Sequence, residues 1–137
     1  MNTITVQTTV AAPIEKAWQY WNEPEHVVQW AFASDEWESP AAENNLQEGG
    51  TFKTVMAAKD GSARFDFEGT YTAVVPHERI EYVMADGRKV QIYFKAVPEG
   101  TAITEAFDPE TENPEEMQQA GWQAILENFK KHVESGN

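Results

Sequence analysis

The stretch NPEEMQQAGWQAILENFKKHVES, residues 113–135, decides the fold, because it predicts one long helix with a single apolar stripe. Asn113 can cap this helix, and Pro114 suits its first position, where no backbone N–H is needed. Lys130 and Lys131 lie near the negative end of the helix dipole. The stripe recurs at helical spacing and consists of Gln118, Trp122, Ile125, Leu126, Phe129 and Val133. Such a helix is about 30 Å long and needs an apolar surface against which to bury its stripe.

The segments before this helix predict a sheet that supplies such a surface. Apolar and polar side chains alternate in six expected strands, at residues 3–9, 51–57, 63–75, 79–84, 88–97 and 101–108. Asp-Gly turns at 60–61 and 86–87 indicate hairpins between neighbouring strands, and successive hairpins form an antiparallel meander. A further short strand is expected around Trp37, followed by a loop from Pro40 to Glu48.

Two short helices are expected between the first strand and the rest of the sheet. The first begins at Pro13 and carries an apolar stripe made of Ile14, Ala17, Trp18 and Trp21. The second runs from Pro24 to about Val28. This order of elements predicts an α+β protein, in which a curved antiparallel sheet of about six or seven strands wraps around the long C-terminal helix.

The composition favours one domain spanning residues 1–137, with 41% apolar residues to build its core. Cysteine is absent from the sequence, so no disulfide framework is available. Ten basic residues against 23 acidic ones give a net charge of −13, which would repel nucleic-acid backbones and anionic membranes. No apolar run reaches the roughly 18 residues of a membrane span, and the first residues lack the pattern of a secretory signal. We therefore expect a cytoplasmic protein that binds neither nucleic acid nor membrane.

Several local motifs, and the order in which they occur, point to a known superfamily. The motifs are APIEKAW at 12–18, PEHVVQW at 24–30, GGTF at 49–52, GTY at 69–71, GT at 100–101 and GW at 121–122. Together they resemble the START-like, or SRPBCC, superfamily, which shares the helix-grip fold of the birch pollen allergen. Within it, the sequence is similar to domains related to the activator of heat-shock protein 90 ATPase. The resemblance implies a cavity between sheet and helix that often holds a hydrophobic small molecule, but it implies no particular reaction.

Residues expected to face the interior are candidates for a ligand-binding site. They are Trp30, Phe52, Phe65, Phe67, Tyr82, Phe94, Glu105, Phe107, Gln118 and Trp122. The aromatic rings either line a pocket or fill the core, and the sequence leaves both interpretations open. Glu105 shares the strand face of Ile103 and Phe107, so we expect it to be buried unless a bulge reverses that face. Burial would raise its pKa, which suits a ligand anchor or an acid–base group; the alternative is a glutamate satisfied by its neighbours.

The three histidines, His26, His77 and His132, lie in different elements and lack the spacing of metal ligands, so neither a metal nor a cofactor is expected. The resemblance to the START-like superfamily leaves three functions open. The first is the binding of a small, largely hydrophobic molecule between sheet and helix. The second is an enzyme of the polyketide cyclase or hydrolase kind that uses Glu105. The third is a chaperone-related protein-interaction module, which should expose an apolar patch.

Overall fold

The computed structural model describes residues 3–135 of the chain. Over this range the elements are β1 (Ile4–Val10), α1 (Ile14–Asn22), α2 (Pro24–Val27), β2 (Trp37–Glu38), β3 (Ala42–Asn44), β4 (Thr51–Ala58), β5 (Arg64–Val75), β6 (Arg79–Met84), β7 (Lys89–Val97), β8 (Gly100–Phe107) and α3 (Glu115–Glu134). The α+β class and the helix-grip architecture predicted from the sequence are confirmed. No helix within the described range is long and apolar enough to cross a membrane.

The strands form one curled antiparallel sheet in the order β1-β8-β7-β6-β5-β4-β2, with β3 also paired to β4. Hairpins join β4 through β8 in sequence, and α1 and α2 connect β1 at one edge to the short strands at the other. The segment from Pro40 to Glu48 is not wholly a loop as expected, because Ala42–Asn44 pairs with β4. This strand has no apolar alternation, and the Asn44 side chain fixes it by donating to the carbonyl of Asn22 at 2.7 Å.

The long helix lies along the outer edge of β1, which would otherwise present unpaired backbone groups. Side chains of the helix donate hydrogen bonds to carbonyls of the strand, namely Gln119 to Thr5 at 3.3 Å, Gln123 to Gln7 at 3.0 Å and Lys130 to Thr9 at 2.6 Å. The sheet then curls from this edge around the apolar stripe of the helix. The position of α3 is therefore set by an edge strand and not by the middle of the sheet.

The N-terminus of α3 differs from the sequence prediction. The helix begins at Glu115 after Pro114, and no side chain caps it, so the expected cap by Asn113 is wrong. The Asn113 N–H instead donates to the Glu110 carboxylate at 2.7 Å, and its carbonyl accepts from Gln118 Nε2 at 2.8 Å. A side chain one turn into the helix thus binds the preceding loop, which leaves Asn113 turned away from the helix end.

The C-terminal half of α3 packs into the core. Leu126, Phe129 and Val133 are fully buried there. The ring of Phe129 meets Trp21 and Trp30 edge-on, with centroids 4.9 and 5.0 Å away. Edge-to-face packing of aromatic rings adds to the free energy gained by burying their area. Phe129 therefore connects α3 to the segment of α1 and α2.

Strand β5 contains a bulge. The register against β6 shifts between Tyr71 and Ala73, so Val74 and not Ala73 pairs with buried Ile80. Ahead of the bulge, Gly69 permits a close approach of Phe52. A Cβ at Gly69 would lie 2.9 Å from both the Phe52 ring and the Val83 carbonyl oxygen, so a larger residue would force a shift. The phenyl ring of Phe52 can therefore lie across β5 toward the interior.

We predict that Phe129→Ala lowers the free energy of unfolding by about 3–5 kcal/mol, because it removes a fully buried ring and leaves a void between two tryptophans. Met117→Ala is the matched control, since 60% of Met117 is exposed, and it should change stability by less than about 0.5 kcal/mol. Urea unfolding followed by tryptophan fluorescence measures both. Equal effects of the two substitutions would contradict this packing.

Candidate ligand-binding cavity

A cavity of about 400 Å³ lies between α3, the concave face of the sheet and the α1–α2 segment. It exists because α3 is held at the β1 edge while the sheet curls beyond it toward β4 and β5. The C-terminal half of the helix stripe is packed against the core. The N-terminal half, including Trp122 and Ile125, is only partly buried and faces the cavity.

Aromatic side chains form much of the cavity surface. We call Phe52, Phe67, Tyr82 and Trp122 the aromatic wall. Within it, the Phe52 and Tyr82 rings meet edge-on at 4.7 Å, and Phe67 meets Trp122 edge-on at 5.9 Å. Each ring is held by a neighbour, so the wall is a preformed surface.

The cavity opens to solvent between the start of β5 and the first turn of α3. Phe65 and Met117 line the cavity there and are 50% and 60% exposed. The Trp37 ring meets Phe65 edge-on at 5.9 Å and supports it from β2. Apolar residues at a cavity mouth that are half in solvent provide a surface for an apolar molecule to enter.

Glu105 is the most unusual polar group in the cavity. It lies on β8 between Val6 of β1 and Ile92 of β7, and only 6% of it is exposed. Burial alone raises the pKa of its carboxyl to about 8 from the ordinary 4.5. Within residues 3–135, no group donates a hydrogen bond to the Glu105 carboxyl. In the same range, every polar side-chain atom that is fully enclosed by protein has a hydrogen-bond partner, so the Glu105 oxygens are not fully enclosed. Its oxygens are therefore accessible from the cavity that Glu105 lines.

Two tyrosines accompany Glu105, and they differ in their partners. Tyr82 is buried, and both desolvation and the nearby Glu105 raise its pKa, while Arg88 lowers it. Tyr71 donates its hydroxyl hydrogen to Asn44 Oδ1 at 2.5 Å, so it is already committed to holding β3. Desolvation also raises the pKa of Tyr71 above its ordinary value. The Tyr82 hydroxyl is the one that remains for a ligand.

Gln118 lines the cavity, but its polar atoms are occupied. Its Oε1 accepts from the Glu110 N–H at 2.9 Å. Its Nε2 donates to the carbonyls of Glu110 and Asn113 at 3.1 and 2.8 Å. Gln118 thus fixes the loop before α3, and its role at the cavity is structural.

The sequence model for the family described as Activator of Hsp90 ATPase homolog 1-like protein matches residues 11–134. The chain belongs to this family, within the SRPBCC superfamily. A comparison with curated proteins finds no match.

Solved structures of similar proteins agree with this assignment. An AHSA1-like protein from Aeromonas hydrophila is 44% identical, with a TM-score of 0.92 over 98% of this chain and 93% of that one. A protein from Cytophaga hutchinsonii is 56% identical, with a TM-score of 0.85 over 98% of this chain and 94% of that one. A protein from Chromobacterium violaceum, at 23% identity and a TM-score of 0.87 over 98% and 99% of the two chains, shares the fold.

In this member of the Activator of Hsp90 ATPase homolog 1-like family, most of the candidate residues meet at one place. Those that line the cavity are Trp30, Phe52, Phe65, Phe67, Tyr82, Glu105, Gln118 and Trp122. Phe94 and Phe107 do not line it. Phe94 packs against Trp18 of α1 at 5.2 Å, and Phe107 lies behind Trp122, with their rings stacked 3.8 Å apart. Phe107 thus supports Trp122 from the core, and Phe94 also meets the cavity residue Trp21 edge-on at 5.7 Å.

Some cavity residues were not among the candidates. Ile80 and Ile92 share strand faces with Tyr82 and Phe94, so the same alternation could have identified them. Arg88 follows a hairpin turn, where alternation gives no signal. Gly121 lies in the stripe of α3 and has no side chain to mark its face.

Two of the three histidines come together, although their sequence positions gave no sign of it. His26 Nδ1 and His132 Nε2 are 2.9 Å apart and share a hydrogen bond, and His26 stacks on Tyr20 at 3.7 Å. The described residues contain no group of three or more histidine, aspartate or glutamate side chains that could hold a metal ion. The pair is a contact between α2 and the C-terminal end of α3.

We predict that Glu105→Gln changes how stability depends on pH. The folded-state pKa of Glu105, about 8, lies above its ordinary 4.5, so the folded protein holds this proton more tightly than the unfolded chain does. The resulting stability is fully present below about pH 4.5 and is lost as the pH rises to about 8. Relative to the variant, the wild type should lose on the order of 4 kcal/mol across this window. Urea unfolding at a series of pH values measures this. If the free energies of unfolding of the two proteins change equally between pH 5 and 8.5, the burial of an unpartnered carboxyl is contradicted.

Proposed function

We propose that this domain binds one small, largely apolar molecule in the cavity between α3 and the sheet. The observation that supports the proposal best is an open space of about 400 Å³ behind a preformed aromatic wall. Ligand sites commonly have volumes of about 300–1,000 Å³ and are mostly apolar, with a few polar anchors. Glu105 and Tyr82 are the polar groups that would orient the molecule.

Gly121 provides a second argument. It lies in the middle of α3, where glycine costs about 1 kcal/mol relative to alanine. A Cβ at this position would have nothing within 4 Å, and the residues on either side of it in the stripe, Gln118 and Trp122, line the cavity. A sequence selected only for stability would place a larger residue there. The glycine therefore keeps space free at the expense of stability.

A second candidate function is an enzyme of the cyclase or hydrolase kind. It is favoured by Glu105, whose pKa of about 8 suits acid–base work near neutral pH, and by Tyr82, which lines the same cavity. A protein-interaction module has less support. Over residues 3–135, the exposed large hydrophobic side chains are Phe65, Tyr93 and Met117, and two of these are at the cavity mouth. We place the domain in the cytoplasm, in keeping with a sequence free of cysteine.

We predict that the uncharged fluorescent probe N-phenyl-1-naphthylamine binds the wild type with a stoichiometry of one. Gly121→Leu should weaken this binding at least tenfold, because the new side chain would occupy the cavity, and it should not lower the melting temperature. Gly121→Ala is the matched control. It should retain binding and gain about 0.5–1 kcal/mol of stability from helix propensity.

Fluorescence titration and thermal unfolding of the three proteins measure these quantities. If the probe fails to bind the wild type, or binds Gly121→Leu equally well, the proposal is wrong. Native mass spectrometry of the protein purified under non-denaturing conditions then identifies any molecule that it retains.

A further inference from the structure

We propose that the molecule bound in this cavity carries a basic amine, and that its ammonium group pairs with the carboxylate of Glu105 beneath the aromatic wall. This inference rests on the proposed function and specifies the chemical class of the ligand. It is carried by an unpartnered acid in an apolar cavity, by the charges around that cavity and by the aromatic faces that line it.

The first step is the position of Glu105. Its carboxyl oxygens are accessible from the cavity, and within the described residues they accept no hydrogen bond. An unpaired buried acid is costly, and the folded protein maintains Glu105 facing a cavity in which a bound molecule can supply a partner. The desolvation of Glu105 has already occurred on folding, so a ligand that pairs with it has only its own water to lose.

The second step is the charge of the surroundings. Acidic lining residues Glu43, Glu105 and Glu110 outnumber one basic lining residue, Arg88. Arg88 Nε lies 2.7 Å from the Asp86 carboxylate, and Lys53 Nζ lies 3.7 Å from the Glu43 carboxylate. The charges of Arg88 and Glu43 are therefore both partly compensated, and Glu105 and Glu110 still outnumber Arg88. The chain as a whole carries a net charge of −13, which repels anions and attracts cations. The negative charge would therefore repel a ligand with a carboxylate, such as a fatty acid, and would attract a protonated amine.

The third step is the aromatic wall. Cations are attracted to the faces of aromatic rings, and the attraction grows where water is excluded. Tyr82 is buried and is close enough to Glu105 for the carboxylate to raise its pKa. An ammonium group placed at Glu105 would therefore lie beside the Tyr82 ring. An apolar body attached to that group would extend along Phe52 and Phe67 toward the mouth.

The ion pair between the ligand's ammonium group and Glu105 requires Glu105 to ionise. This ionisation has a measurable consequence. At pH 7 the carboxyl is mostly protonated, because its pKa is about 8. An entering ammonium ion stabilises the ionised form, so the proton leaves Glu105 for the solvent while the ligand keeps its own. Affinity for the amine should then rise by about tenfold per pH unit well below pH 8 and level off above it.

Other groups around the cavity do not replace Glu105 in this titration. The remaining titratable or charged lining residues are Glu43 on β3, Tyr71 on β5, Tyr82 on β6, Arg88 after β6 and Glu110 before α3. Strand β1 contains no titratable side chain, and the lining residues of β4, β7 and α3 are uncharged. Neither tyrosine releases its proton in this range, because the pKa of each is raised.

The test compares three probes that share one apolar body: biphenyl-4-ylmethylamine, biphenyl-4-ylmethanol and biphenyl-4-carboxylic acid. Isothermal titration calorimetry at pH 7 measures each affinity, and buffers of different ionisation enthalpy give the number of protons released. We expect the amine to bind the wild type at least tenfold more tightly than the alcohol, with close to one proton released, and the acid to bind most weakly. Equal binding of amine and alcohol, or tighter binding of the acid, would overturn the inference.

Glu105→Gln removes the ionisation and nearly preserves the shape. We expect it to abolish proton release and to reduce the amine-to-alcohol ratio to near one, while the alcohol binds within about threefold of its wild-type affinity. Tyr82→Phe is the companion variant and should retain proton release. If Glu105→Gln does not fold, the wild-type probe series and its pH dependence decide alone. Binding of the alcohol without preference for the amine refutes only this inference, whereas failure of all three probes refutes the proposed function as well.

Discussion

Hydrogen bonds between α3 and the edge of β1 hold the long helix at one side of the sheet, and the place of the cavity depends on that position. Strand β1 pairs with β8 on one side only, and side chains of Gln119, Gln123 and Lys130 bind carbonyls on its free side. These bonds protect an edge that could otherwise pair with another chain. They also hold the helix at the side of the sheet, so the curling strands cannot close fully against its N-terminal half.

Because α3 is held at the side of the sheet, its two ends have different roles. Near the C-terminus, Phe129 is fully buried against Trp21 and Trp30. Near the N-terminus, the stripe passes through Trp122 and Gly121 and faces open volume. Well-packed interiors leave few voids larger than a water molecule. The contrast between the two ends separates the part of the fold that supplies stability from the part that we propose binds a ligand.

The sequence predicted those features that depend on short-range patterns. Alternation identified the long strands to within one or two residues, and it placed Glu105 and Tyr82 on the inner face. Features set by distant partners could not be predicted. Strand β3 depends on Asn44 reaching Asn22, and the helix start depends on Gln118 binding its preceding loop.

The candidate site likewise combines features that the local pattern predicted with features set by distant partners. Alternation could assign Phe94 and Phe107 to the inner face, but it could not tell that Phe94 meets α1 or that Phe107 lies behind Trp122. Which inner residues face the cavity depends on where α3 lies relative to the sheet. That position follows from side-chain bonds to β1 that no local pattern encodes.

Methyl NMR of isoleucine-labelled protein tests the central claim, that the space beside α3 receives a ligand, most directly. Ile80, Ile92 and Ile125 line the cavity, whereas Ile4, Ile14 and Ile103 do not, so each sample contains its own controls. On saturation with biphenyl-4-ylmethylamine, the account predicts the largest shifts at the three lining methyl groups. Saturable binding that leaves those three unmoved, or that shifts the other three most, would contradict it.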